Sequence, residues 1–314
     1  MMTSSDDSSE KNEEDRLKDI HHHLSRNKSA SSSWLPLESN PAIFTSYARS
    51  TSHLPQTWEF VDVLGFGGGA SDDLLLLSPT ESNISNTVAG AIFLFPTTDA
   101  IYADRGVQKA WLRKHDQSHH NILSRHIFHV EQVKGFGNAC GSIAATHILL
   151  NSGLALPDIP DPFNESGGIA SPLSAYKNAC INVSNNDQDQ DCLRRQRGEM
   201  LVKTQELHNI SDRSAQSTAS QTQCPESGDT YLGHHYCAFV PVKFDGKIHV
   251  VELDGTKIRP IDHGTVEENN YDHDDDDNNN AFLRAVANVV KRKWMALEPN
   301  RIDFSLMALV KKAT

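Results

Sequence analysis

The sequence has few cysteines and no pattern that would pair them. Five cysteines are spread over 314 residues, and no two of them have Cys-x-x-Cys spacing. This excludes a disulfide-rich secreted scaffold and favours a reducing compartment. Residues 1–19 also lack the apolar core of a signal peptide. We therefore expect a cytoplasmic location, with the nucleus as a further one.

Long apolar runs and an excess of positive charge are missing as well. No run reaches the length of a transmembrane helix, and 29 Lys and Arg residues face 41 Asp and Glu residues, for a net charge of −12. We therefore expect neither nucleic acid nor a membrane as a partner. An acidic protein of this kind suits a partner with a basic contact surface.

Three polar segments lie outside the hydrophobic pattern. Met1–Ser33 is predicted to be a disordered tail, and Trp34–Thr314 to be one folded domain. Within that domain, Asn209–Tyr231 has almost no apolar residues, which predicts a structureless lid or insert. Tyr271–Asn280 is an acidic low-complexity insert without EF-hand spacing, which favours a solvated linker over a calcium site.

The remaining chain mixes strand and helix patterns. Val88–Phe95 is a continuous apolar run that ends before Pro96, as in a central strand buried on both faces. The predicted strands also include Trp58–Leu64, Ile127–Gln132, His235–Val242, Lys247–Leu253 and Ile302–Val310. The predicted helices include Leu74–Leu77, Ala103–Ser118, Cys192–His208 and one that contains Phe282, Val286, Val289, Val290 and Leu297.

A Gly-rich turn leads into a helix with a cysteine in its first turn, within Gln132–Asn151. Gly135, Gly137 and Asn138 suit a sharp reversal and a helix N-cap, and Cys140 follows. A thiol at a helix N-terminus loses its proton more readily, and the thiolate is the nucleophile. Cysteine also packs in protein cores, so Cys140 needs a base beside it before it can be assigned a catalytic role.

A predicted β-hairpin supplies a candidate base. Asp245-Gly246 lies between two apolar runs, which is a strong signal for a two-residue turn. With that turn, His235 and Asp254 are diagonal neighbours on one face of the hairpin, roughly 7–8 Å apart at Cα. His234 and His249 point to the opposite face. The register therefore selects His235 as the base and Asp254 as the acid that orients it.

These residues together suit nucleophilic catalysis. His235 can take the proton of the Cys140 thiol, and Asp254 can fix the tautomer and angle of the imidazole ring. Gln132 precedes the cysteine turn, so its amide and the backbone N–H of Cys140 can stabilise an oxyanion. This chemistry requires no metal and no cofactor.

Several motifs resemble the ubiquitin C-terminal hydrolases, which are papain-like cysteine proteases. GNACG and the HxxAFVxV…ELDG pair are highly specific, and WLPLE supports them independently. The matching segments are Trp34–Pro41, Trp58–Gly65, Ile92–Pro96, Gly137–Asn151, His235–Val242, Glu252–Lys257, Pro260–Gly264 and Arg301–Leu309. They follow the order of the family, and the chain is similar to the short members without a C-terminal extension.

The resemblance implies a papain-like α+β fold, with a central antiparallel sheet between helical layers and a knotted backbone. It implies Cys140 as nucleophile, His235 as general base and acid, Asp254 as orienting acid and Gln132 as oxyanion donor. It also implies that Asn209–Tyr231 is the crossover loop over the active site, and that Leu35–Pro41 lies along the basic tail of bound ubiquitin.

Two differences from the family pattern concern the site. The spacing from Gln132 to Cys140 is two residues longer than in the family, which indicates an insertion within Lys134–Phe136. Lys134 stands at the usual distance from the cysteine, but a cationic side chain is a poor substitute for a planar amide, so we favour Gln132. The hairpin is about four residues longer than usual, and two extra residues per strand leave the side-chain faces unchanged.

The sequence thus predicts a monomeric cysteine hydrolase that cleaves bonds at the C-terminal Gly of ubiquitin or a ubiquitin-like protein. Its adducts would be small or disordered. Two alternatives remain open from the sequence. One is a ubiquitin-binding pseudoenzyme whose oxyanion hole is weakened by the insertion, and the other is an acyltransferase of the transglutaminase kind.

Overall fold

An antiparallel sheet forms the centre of the protein. The computed structural model describes residues 33–64, 76–77, 84–114, 127–154, 159–160, 168–183, 190–228, 230, 232–269 and 281–312. Within these ranges the sheet has seven strands, in the order β2-β1-β9-β3-β6-β7-β8. Residues 1–32 of the predicted tail lie outside the described residues, and so does the acidic insert Tyr271–Asn280.

The strands and helices alternate irregularly along the chain. The strands are β1 Trp58–Leu64, β2 Leu76–Leu77, β3 Ile84–Pro96, β4 Ile159–Pro160, β5 Gly168–Ile169, β6 His234–Phe244, β7 Lys247–Leu253, β8 Ile261–Thr265 and β9 Ser305–Lys312. The helices are α1 Pro41–Ser52, α2 Asp99–Lys114, α3 Cys140–Asn151, α4 Pro172–Val183, α5 Gln190–Leu201, α6 Gln205–Ala215, α7 Val266–Asn269 and α8 Ala281–Val290, which continues into a π-helical turn at Lys291–Met295. None of these helices is long and apolar enough to cross a membrane.

The sheet is covered by helices on both faces. Ile92 on β3 packs into a core with α1 and α3, whereas its neighbour Phe93 packs into a second core with α8. Because side chains alternate along a strand, a central strand with a core on each side must be apolar throughout. This explains the continuous apolar run in β3 and confirms the predicted α+β architecture. The knotted path stays a prediction.

The hairpin forms in the predicted register. Phe244 pairs with Lys247 across the turn, and the ladder continues to the pair Ala238–Leu253. Asp245 has a φ of 49° and Gly246 a φ of 77°, the positive values that a two-residue hairpin turn requires. The ladder ends before it reaches His235 and Asp254. These two residues lie just beyond its last pair and face each other there.

Ile127–Gln132 was predicted to be a strand, and this is wrong. The segment is not part of a sheet, and its N–H groups donate to helices α3 and α5 and to a loop rather than to a neighbouring strand. The N–H of Phe128 donates to the Asn151 side chain, and the N–H of Val130 donates to Nε2 of His147. An apolar alternating pattern cannot reveal such partners, because they come from distant parts of the chain.

Two helix predictions and one loop prediction also need correction. Leu76–Leu77 belongs to a strand rather than to a helix. The predicted helix Cys192–His208 is broken at Val202–Thr204, where residues 200 and 201 accept turn hydrogen bonds. A new helix, α6, begins at Gln205 and includes Asn209–Ala215, so the predicted structureless loop is helical over its first seven residues. Buried Leu207 and Ile210 provide the apolar face that anchors α6.

Candidate active site

Cys140 is the first residue of α3, a helix buried on all sides. Residues 141–150 are all buried, so the helix is fixed by packing around its whole circumference. Ala139 occupies the N-cap position without a side-chain hydrogen bond to the helix. The predicted cap Asn138 is therefore wrong, and its amide instead donates to the Thr230 carbonyl at 2.7 Å. The free N–H groups of the first turn stay near Cys140.

His235 lies between Cys140 and Asp254. Its Nε2 is 2.9 Å from Oδ1 of Asp254. The imidazole also lies close enough to Cys140 for that side chain to raise the pKa of the ring. Because Nε2 is used by Asp254, Nδ1 is the ring nitrogen that remains for the thiol. The three side chains that the sequence selected are thus brought together, and His234 points away from them, to Asp303.

The charges around His235 favour its protonated form. Burial alone would lower the pKa of His235, but the Asp254 carboxylate and Cys140 outweigh burial and raise the pKa to about 9. Burial would raise the pKa of Asp254, but Arg105 and His235 hold that pKa well below its usual range. The site therefore combines an anionic carboxylate with an imidazole that holds its proton tightly.

Gln132 lies beside this group with its amide directed at the cysteine turn. Its Nε2 donates to the Gly137 carbonyl at 3.0 Å, and its backbone N–H donates to the Gly255 carbonyl at 2.8 Å. Helix α5 supports the segment closely, since a Cβ on Gly198 would lie 2.1 Å from the Glu131 carbonyl oxygen. Only glycine allows α5 to approach so near, and this contact fixes the chain that carries Gln132.

The insertion near Lys134 forms a turn that leaves Gln132 in place. Gly135 has a φ of 102°, and the N–H of Phe136 returns to the Val133 carbonyl at 3.4 Å. Lys134 is exposed at the tip of the turn. Phe136 is fully buried and packs edge-on against Trp34, with ring centroids 5.4 Å apart. The two extra residues thus enter a turn anchored by Phe136, which supports Gln132 over Lys134.

The segment after α6 is tied to the residues near the start of the folded chain. The Glu38 carboxylate accepts hydrogen bonds from the Ser220 hydroxyl, the Gln221 N–H and both the N–H and the hydroxyl of Thr222. Partial burial would raise the pKa of Glu38, but these hydrogen bonds outweigh it and lower the pKa to about 2. Asn40 adds a bond from its amide to the Ala219 carbonyl.

The same segment contacts the cysteine turn. A Cβ on Gly228 would lie 2.2 Å from the Trp34 carbonyl oxygen, and one on Gly137 would lie 2.7 Å from the Gly228 carbonyl oxygen. Gly137 also has a φ of 62°, which favours glycine for a second reason. Residues 216–228, which we call the crossover segment, therefore lie against the turn that precedes Cys140.

Replacing Glu38 by alanine is expected to loosen the crossover segment. The change removes the acceptor of four different donors, and hydrogen bonds to a charged group stabilise by about 1.5–3 kcal/mol. We expect limited proteolysis within residues 216–228 to accelerate about tenfold in Glu38→Ala. Glu59→Ala is the matched control, since Glu59 pairs with Lys312 elsewhere. Equal cleavage rates in the two variants would contradict the conclusion that Glu38 holds the crossover segment in place.

Arg105, Glu38 and Gly198 were not identified from the sequence. Arg105 lies one helical turn after buried Ile101, so the i, i+4 spacing was the one available signal that it points inward. The contacts of Glu38 and Gly198 join distant parts of the chain and leave no local pattern. Within the described residues, no group of three or more His, Cys, Asp or Glu side chains could hold a metal ion.

The comparison with known proteins agrees with this geometry. The model of "Ubiquitin carboxyl-terminal hydrolase, family 1" matches residues 34–292. The chain belongs to this family. It is therefore a deubiquitinating cysteine hydrolase, and the resemblance read from its motifs is confirmed.

Similar proteins occur in distant eukaryotes. A probable ubiquitin carboxyl-terminal hydrolase of Dictyostelium discoideum is 30% identical over 282 residues, which cover 89% of this chain and 88% of that protein. A ubiquitin carboxyl-terminal hydrolase of Drosophila melanogaster is 27% identical over 278 residues, which cover 88% of this chain and 96% of that protein.

A solved structure shows the same fold. The catalytic domain of Trichinella spiralis UCH37, crystallised with ubiquitin vinyl methyl ester, matches 90% of this chain and 98% of its own length. The TM-score is 0.53 and the sequence identity is 20%. The papain-like fold expected from the motifs is thus confirmed.

Proposed function

We propose that this chain cleaves amide, ester or thioester bonds at the C-terminal Gly of ubiquitin, with Cys140, His235 and Asp254 as a catalytic triad. The observation that carries the proposal is the position of His235, which bonds Asp254 through Nε2 at 2.9 Å and also lies next to Cys140. Nucleophile, base and orienting acid are thus adjacent, in the order that nucleophilic catalysis requires.

In the first step, His235 holds the proton that Cys140 has released, and the thiolate sulfur attacks the Gly carbonyl carbon. The C–S bond forms, and the electron pair of the C=O bond moves to oxygen. The oxyanion can be stabilised by the backbone N–H of Cys140 and by Nε2 of Gln132. An amide nitrogen carries two hydrogens, so Gln132 can keep its bond to Gly137 and still donate a second one.

In the second step, the oxyanion collapses and the bond to the leaving group breaks. His235 gives its proton to the leaving amine, and a thioester remains on Cys140. Water then attacks the thioester, with His235 taking a proton from the water and returning it to the sulfur. The products are the free carboxylate of the Gly residue and the regenerated thiol, so the cycle needs no cofactor.

The crossover segment supports a restriction on adduct size. It lies against the turn before Cys140 and is held by Glu38 and Asn40. A leaving group attached at the site would have to pass this segment. We therefore propose small or disordered adducts, released from a monomeric enzyme. The free state of all five cysteines supports a reducing location, which is the cytoplasm and also the nucleus.

The test is turnover of a fluorogenic ubiquitin C-terminal amide together with labelling by an electrophilic ubiquitin probe. Cys140→Ala is expected to lose labelling and at least about 10⁴-fold in kcat/KM. The exposed cysteine variant Cys192→Ala is the control and should keep both. Gln132→Ala is expected to lower kcat about 10²-fold. Tight ubiquitin binding by the wild type without turnover or labelling would instead support the pseudoenzyme.

A further inference from the structure

Arg105 on α2 reaches the buried carboxylate of Asp254. Its Nη1 is 2.8 Å from Oδ2 of Asp254, and its Nη2 donates to the hydroxyl of Thr256. Thr256 in turn donates its N–H and its hydroxyl to Oδ1 of Asp254, each at 2.8 Å. The three residues therefore form a closed ring of hydrogen bonds around the carboxylate.

The two oxygens of Asp254 have different partners. Oδ1 accepts from His235 and twice from Thr256, whereas among the described residues Oδ2 has a single partner, Arg105. The Asp254 side chain is fully buried. A buried carboxylate oxygen without a partner is costly, so without Arg105 the carboxylate would have to rotate or take up a proton.

One aromatic ring contacts both the guanidinium and the imidazole. Arg105 lies over the ring of Phe95 at 5.7 Å, and the same ring meets His235 edge-on at 5.5 Å. Arg105 bonds Oδ2 of Asp254, whereas His235 bonds Oδ1. A planar fork is suited to this task, because it can bond a carboxylate and a hydroxyl at once.

We propose that Arg105 is a positioning residue for catalysis, which fixes the plane of the Asp254 carboxylate so that Oδ1 faces Nε2 of His235. This inference rests on the triad proposed above and adds a fourth member to it. Arg105 acts through Asp254 and does not touch the substrate. The ring with Thr256 supplies the rigidity, and the charge of Arg105 keeps Asp254 anionic.

Other titratable groups also face Asp254. They are His129 and His147 on the inner side, Cys237 on β6, and Glu252 and Lys257 near the end of β7. A variant of Arg105 leaves all of them in place. A change in the pH profile of such a variant therefore reports the loss of the guanidinium.

The test compares the pH dependence of kcat/KM for Arg105→Gln, Arg105→Lys and the wild type, using the ubiquitin C-terminal amide reporter. Arg105→Gln is expected to lower kcat about tenfold or more while KM changes less than about twofold. The apparent pKa of the alkaline limb of its kcat/KM profile should be lower by about one unit, because a misplaced carboxylate stabilises the His235 imidazolium less well. Arg105→Lys keeps the positive charge, so the alkaline limb of its profile should lie close to that of the wild type.

Arg113→Gln is the matched control, since Arg113 is exposed on the same helix. It should keep the wild-type profile. A purely structural role of Arg105 would lower the melting temperature and leave the alkaline limb unmoved, and this result would overturn the proposal. Failure of the triad itself is a different outcome, because Asp254→Asn would then turn over the reporter at the wild-type rate.

Discussion

Replacing His235 by glutamine is expected to lower kcat by about 10³-fold, whereas the same change at His234 should cost less than about threefold. The two histidines are adjacent in β6 but have different partners. His235 bonds Asp254 and lies next to Cys140, whereas His234 bonds the Leu232 carbonyl and Asp303 at the surface. Glutamine retains some hydrogen-bonding capacity but cannot accept and return a proton.

The measurement is steady-state turnover of the ubiquitin C-terminal amide reporter, with melting temperatures to establish that both variants are folded. The expected loss lies in kcat, since His235 acts on the thiol and the leaving group rather than on the recognition of ubiquitin. Equal losses at the two positions would show that strand geometry, and not proton transfer, explains the effect. An active His235→Gln enzyme would eliminate this residue as the base.

The pairing of His235 with Asp254 was predictable because it follows from local rules. A two-residue turn fixes the register, and the register fixes which side chains share a face. The prediction succeeded although the ladder ends at Ala238–Leu253, before either residue. The hydrogen bond between the side chains therefore continues the geometry that the paired strands establish.

The support around the triad was not predictable in the same way. Arg105 appears in the sequence as one charge among many on a charged helix, and nothing local shows that it faces Asp254. Ile127–Gln132 resembles a strand in its apolar pattern, but its hydrogen-bond partners lie on helices α3 and α5 and in the loop after β7. Sequence patterns show burial and periodicity, whereas these partners depend on the complete fold.

Two buried histidines next to the site are expected to make the fold sensitive to mild acid. Nε2 of His129 donates to the Asp254 carbonyl at 3.0 Å, and Nε2 of His147 accepts the N–H of Val130 at 3.0 Å. Their rings are 5.2 Å apart. Burial lowers the pKa of His129 well below its ordinary value, and burial lowers the pKa of His147 to about 4.

The sign of the effect follows from proton binding. In the unfolded chain a histidine binds a proton near pH 6.5, but folded His147 stays neutral down to about pH 4. Its contribution is therefore fully present above pH 6.5 and is lost as the pH falls toward 4, by about 3 kcal/mol in total. His129 acts in the same direction. His235 behaves oppositely, because its raised pKa stabilises the fold below pH 6.5 and this stabilisation is lost toward pH 9.

Urea unfolding between pH 4.5 and 6.5 measures the histidine contribution separately. Glu38 and Glu252 have pKa values of about 2 in the folded protein, so most of the stabilising energy that they lose is lost below about pH 4.5, where more than half of the unfolded carboxylates carry a proton. The free energy of unfolding should fall by roughly 1 to 3 kcal/mol per pH unit across the window. His147→Gln, which retains an acceptor for Val130, should make that slope shallower, and an unchanged slope would show that His147 is protonated as readily in the folded chain as in the unfolded one.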